Sequence, residues 1–125
     1  MAAIDLDAIR AQLDAARRSW GEVGDALVDT GKSFGDGERV VVAVDKRDRR
    51  YLVSDGARAV EKAGRPPGWY AAAAAAVAAE DLNVNRRGAI FVPAVEGGVD
   101  LAWLVARVAD VALRVYEELL ELEPG

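Results

Sequence analysis

Apolar residues at Leu6, Ile9, Leu13, Ala16 and Trp20 recur at spacings of three and four. That period predicts an amphipathic helix from Leu6 to Trp20, with one face on a core. Asp5 is placed to cap its first turn, Asp7 suits the dipole there, and Gly21 and Gly24 end it. Ala26 to Val28 is a short apolar stretch that fits an edge strand, and Asp29 to Glu38 reads as a glycine-bearing loop. The pattern then changes. Val40-Val41-Val42-Ala43-Val44 is continuous and largely β-branched, so Arg39 to Asp45 predicts a strand. Arg50 to Ser54 predicts its hairpin partner across the charged turn Lys46-Arg47-Asp48-Arg49.

Asp55 and Gly64 bracket a two-turn helix over residues 56 to 63, as N-cap and C-terminal glycine. Arg65-Pro66-Pro67-Gly68 is a rigid break, and Trp69 to Glu80 is an alanine-rich helix. Leu82 to Asn85 and Ala89 to Val95 predict a second hairpin around Arg86-Arg87-Gly88. Pro93 lacks an amide donor, so its strand belongs at an edge or ends there. After Gly97-Gly98, Asp100 caps a final helix from Leu101 to Leu122. The expected fold is a single α+β domain over residues 1 to 125. Two β-hairpins form an antiparallel sheet with helices on one face, in the order α-β-β-α-α-β-β-α, with room for an extra edge strand after the first helix.

The final helix is apolar around more than one stripe. Leu101, Trp103, Val108, Leu113, Tyr116 and Leu120 lie on faces broader than a single core contact needs. Two explanations stay open: the helix is the centre of the domain, or it also packs a second subunit.

Composition narrows the chemistry. The chain has no cysteine and no histidine. Disulfides, thiolate nucleophiles, cysteine-based zinc sites and the histidine-dependent triads cannot be assembled from it. A reducing, cytoplasmic setting is expected, with no metal and no cofactor. No apolar run approaches the ~20 residues of a membrane span. The N-terminal stretch carries Asp5 and Asp7 where a signal peptide needs a basic start and an apolar run. A net charge of −5 argues mildly against generic nucleic-acid binding.

Two catalytic look-alikes overlap in Ala26-Leu27-Val28-Asp29-Thr30-Gly31-Lys32-Ser33. Gly31, Lys32 and Ser33 match the end of a P-loop, but Ala26 stands where its first glycine belongs. Phe34-Gly35-Asp36-Gly37 is also a poor start for the helix that must hold the phosphate. Asp29-Thr30-Gly31 resembles the signature of retroviral-type aspartic proteases, in which two aspartates share a proton. That family is nearly all β, and the second apolar-apolar-glycine element it carries is missing before Asp100. An ordinary Asp-Thr-Gly turn explains the residues as well. Asp45, Asp48 and Asp55 flank the first hairpin without metal-loop spacing, and Glu117, Glu118, Glu121 and Glu123 crowd the end of the last helix.

Arginines mark both hairpin tips. Arg47 and Arg49 stand at one, Arg86 and Arg87 at the other. Side by side, the tips would form a basic patch for phosphate or an acidic partner.

The strand Arg50-Tyr51-Leu52-Val53-Ser54 running into Asp55-Gly56, then a helix, a hairpin and a long apolar helix, resembles a bacterial and prophage-associated family of small domains of unknown function. The resemblance spans Arg39 to Leu122, with a single Asp55 before Gly56 where the family has a doubled aspartate. It implies the same strand-and-helix layout and brings no catalytic residues.

These features lead to an expected non-enzymatic protein–protein interaction or regulatory adaptor module, homodimeric and working through its long helix or its sheet. The alternatives are a nucleic-acid- or anion-binding protein using the tip arginines, and an aspartic-type hydrolase at Asp29.

Overall fold

The computed structural model describes residues 4–19, 24–95, 97, 98 and 100–122, without the side chains of 19, 24 and 25. Trp20, Gly21 and Glu123, used in the sequence reading, lie outside the described residues. The elements run α1 (Leu6–Ser19), β1 (Gly24–Ser33), β2 (Arg39–Arg47), β3 (Arg50–Ser54), α2 (Arg58–Lys62), α3 (Trp69–Ala78), β4 (Asn83–Val84), β5 (Ile90–Val95) and α4 (Leu101–Leu120).

The five strands form one antiparallel sheet in the order β1-β2-β3-β5-β4. The α+β class holds. The largest departure from the expected layout is β1, ten residues long rather than three. Asp29 to Ser33 was expected as loop and instead belongs to this strand, with an irregularity in register between Asp29 and Ser33. Gly31 sits there at φ 78°, a conformation glycine reaches without strain. Thr30 faces inward and donates from Oγ1 to the buried carbonyl of Val40 at 2.7 Å, which satisfies a hydroxyl that burial would otherwise penalise.

Strand alternation puts Val28, Val40, Val42, Val44, Tyr51 and Val53 on one face, all buried. The four helices lie on that side: α1 packs on β1, α4 crosses β1, β2, β3 and β5, and α2 and α3 pack on α4. Within α4, Leu101, Leu104, Val105, Val108, Val111, Ala112, Val115 and Leu119 are buried. Their breadth comes from position: α4 touches the sheet beneath and three helices around it. Asp100 caps it as expected, accepting from the amides of Ala102 at 2.9 Å and Trp103 at 3.4 Å. Asp5 likewise caps α1 by accepting from Ala8 N at 3.1 Å.

Pro93 pairs with Leu52 of β3, and β4 reaches only as far as Phe91. The strand of Pro93 is therefore not at the expected edge, since β5 lies between β3 and β4 and runs on to Val95. On its β4 side, however, Pro93 faces no strand, so its missing donor breaks no ladder there. Among the described residues, no helix is long and apolar enough to cross a membrane.

Candidate interaction surface

The long helix was expected to offer Leu101, Trp103, Val108, Leu113, Tyr116 and Leu120 to a partner. The structure corrects most of that set. Leu101, Val108 and Tyr116 are buried in the domain's own core, and Tyr116 stacks edge-on against Phe34 with ring centroids 5.1 Å apart. Leu113 is half-buried against the same core. Only Trp103 and Leu120 are exposed. They lie seventeen residues apart, about 26 Å along the helix axis, and so form no single patch.

The tip arginines are also redistributed. Arg50 pairs with Val95 and Ser54 with Phe91, because β5 runs antiparallel to β3. Arg47 and Arg49 therefore stand at the Val95 end of the sheet. Arg86 and Arg87, in the turn between β4 and β5, stand beyond its Phe91 end. The rows are four residues, about 13 Å, apart, and the turns lie further out still. One shared basic patch is excluded by the register.

Asp29 occupies an ordinary structural position. Its carboxylate accepts from Gly31 N at 2.9 Å and lies 3.7 Å from Arg39 Nη1, a local turn closed by an aspartate. Lys32 and Ser33 end an edge strand rather than open a helix, so the P-loop geometry is absent. Lys32 Nζ instead pairs with Asp110 of α4.

The sheet, the other surface expected to work, leaves one face uncovered. No described element packs on it. One row crosses all five strands there: Leu27, Ala43, Ser54, Phe91 and Asn83 are successive partners. Beside it lie Val41, Leu52 and Val95. Of the eight large hydrophobic residues exposed among those described, Leu27 (73%), Val41 (38%), Leu52 (41%) and Val95 (61%) belong to this face. An open sheet face usually alternates apolar-in with polar-out. Here many of the outward positions, Leu27, Val41, Ala43, Leu52, Phe91 and Val95 among them, are themselves apolar. The signal was present in Val40 to Val44: a run apolar at every position serves a strand covered on both sides.

A cavity of about 320 Å³ opens on this face, lined by Leu52, Ser54, Gly56, Ala57, Arg87 and Phe91 among others. Its walls are held firmly. Arg65 donates from Nη2 to the carbonyl of Arg87 at 2.8 Å. Asn85 Oδ1 accepts from Arg87 N and Ala89 N, both at 3.0 Å. Gly88, at φ 99°, packs so closely on α2 that a Cβ there would lie 2.9 Å from Val60. Beneath the cavity is Asp55, one of two buried polar or charged residues among those described. Its carboxylate accepts from Ala57 N at 2.9 Å, Ala59 N at 3.2 Å and Ile90 N at 2.9 Å. It thus ties the end of β3 to α2 and to β5. Burial pushes its pKa up, against the pull of these three amides.

The edges of the sheet are less open. At β1 the Gln12 side chain of α1 accepts from Asp29 N at 3.0 Å and donates to Asp29 O at 2.9 Å. That occupies backbone groups an added strand would need. At the other edge, β4 is two residues long.

A second concavity, about 500 Å³, lies on the helix side between Ile4, Leu6, Trp103 and α4. Its charges are spent on one another: Arg107 and Arg114 both pair with Glu80, and Lys32 pairs with Asp110. Arg107 also covers the Trp103 ring at 5.2 Å.

Comparison with known protein families, with curated proteins and with solved structures found no match.

Proposed function

We propose that the chain is a non-enzymatic protein-interaction module, an adaptor of the cytoplasm, that takes its partner on the open face of the sheet. The observation that carries this reading is the apolar face itself. Half of the exposed large hydrophobic residues among those described fall on one side of one sheet, and contiguous apolar exposure marks interaction sites. With both edges blunted, binding by an added strand is disfavoured, and side-chain contacts on the face remain. Self-association belongs to the same reading if a second copy takes that face.

The test is a selection of random displayed peptides on the intact protein, with a Leu52→Glu, Val95→Glu variant as control. Both positions are exposed, so the fold should survive. The reading expects peptides enriched on the wild type and lost on the variant. Enrichment that ignores the variant, or none at all, would count against it.

A further inference from the structure

The open face has a charge layout as well as an apolar one. Its two described aspartates are matched locally: Asp29 lies by Arg39 at 3.7 Å and Asp45 by Arg47 at 3.2 Å. Arg50, paired across the sheet with Val95, Arg49 in the adjoining turn, and Arg87 on the cavity wall have no carboxylate partner among the described residues. The protein as a whole carries −5. This face is therefore a local inversion, with an excess of positive charge at both ends and apolar side chains between. Arg47, Arg49 and Arg50 outnumber Asp45 and Asp48 at one end, and Arg87 stands at the other. The register that separates the hairpin tips places one cation group at each end of a strip about 13 Å or more in length.

We infer that the occupant is a peptide segment of a protein partner, apolar in its middle and acidic on both flanks. This rests on the interaction reading above and specifies its ligand. The cavity, at the small end of the ~300–1,000 Å³ typical of ligand sites, takes one apolar side chain onto Leu52, Phe91 and Ala57. A carboxylate just beyond it meets Arg87, whose planar guanidinium suits two-pronged pairing. The strip then runs past Pro93 to Val95, where a second acidic group meets Arg50 or Arg49. A second copy of this chain fits poorly, since two such faces laid together oppose arginine to arginine. A nucleic acid would leave the apolar middle without a matching surface.

Fluorescence anisotropy with two labelled nine-residue peptides tests this. Both carry Leu-Ser-Phe-Ser-Leu at the centre; one has Asp-Glu and Glu-Asp flanks, the other two lysines at each end. The acidic peptide is expected to bind about tenfold more tightly at low salt, an effect of two exposed ion pairs that salt erodes. Arg50→Glu with Arg87→Glu should reverse the preference, and Leu52→Glu should abolish both. Equal binding of the two peptides, still lost with Leu52→Glu, overturns the acidic specificity while leaving the interaction face intact. If neither binds and displayed peptides also fail, both readings fall. A dimer in light scattering that dissociates with Leu52→Glu assigns the face to a second copy and overturns the inference. An unstructured oligonucleotide that binds through the arginines regardless of Leu52 overturns it too.

Discussion

Asp55 gathers three amides, two from the start of α2 and one from β5, onto one buried carboxylate. The sequence showed it as the N-cap of a short helix, but α2 begins at Arg58 with Ala57 in the cap position, and Asp55 reaches the amides of Ala57 and Ala59 from further upstream. The third, to Ile90 N, joins residues thirty-five apart, and no local pattern carries such a contact. Asp55→Ala would strand buried donors and should cost at least about 2 kcal/mol in urea unfolding. Asp55→Asn should cost less than alanine, because its one carbonyl oxygen can still serve Ala57 and Ile90. Equal stability of Asp55→Ala and wild type would contradict this. Gly88 was read simply as part of a turn, yet its role is steric as well as conformational. Gly88→Ala places a Cβ against Val60 at a φ of 99° and should cost about 1–3 kcal/mol, measured the same way.

Among the elements, the turn between β1 and β2 is bound to α2 by charge. Lys62 Nζ pairs with Asp36 and lies 2.5 Å from Glu38 Oε2, while Arg58 Nε lies 3.0 Å from Glu38 Oε1. Phe34 adds its ring, 5.2 Å from the ammonium. The hydrogen bond from Lys62 lowers the pKa of Asp36, helped by the Glu38 amide; Lys62 and then Arg58 lower that of Glu38. Asp36 and then Glu38 raise that of Lys62. The two carboxylates therefore stabilise the fold above their ordinary values, near pH 4, and lose that contribution as pH falls through their lowered ones. Lys62 contributes below its ordinary value near 10.4 and loses it as pH rises through its raised one. Glu38→Gln should weaken both dependences in melts taken from pH 2 to 11.5; unchanged profiles would contradict the assignment. Helix α4 shows how far element-level reading goes. Its bounds and cap were legible from Asp100 and the apolar period. Its breadth admitted core or interface, because periodicity counts faces without naming their neighbours. Leu119→Ala should cost about 2–5 kcal/mol, whereas Leu120→Ser, at an exposed site, should stay within about 0.5 kcal/mol. Similar losses from both in chemical denaturation would return α4 to the interface reading.

For the whole molecule, the α+β class and a helix layer on one side were legible because the long helices showed their period, β2 its β-branched run and β3 its apolar one, whereas most of β1 read as loop. Topology was not. The order β1-β2-β3-β5-β4 brings β5 beside β3, and that pairing decides where the arginine tips lie. Two tips that looked like one basic patch become the opposite ends of an apolar strip. The continuous apolar run of β2 held the clue that both faces of the sheet want cover, and the helices supply it for one. The central claim is that the other face is the working surface. Amide chemical-shift mapping of the isotope-labelled protein, titrated with the acidic-flanked nine-residue peptide, tests it most directly. The account predicts shifts at Leu52, Ser54, Phe91, Val95 and the 86–88 turn, with Trp103, Ala106 and Arg107 unmoved. Shifts centred on that Trp103 groove, with the sheet face silent, would contradict it.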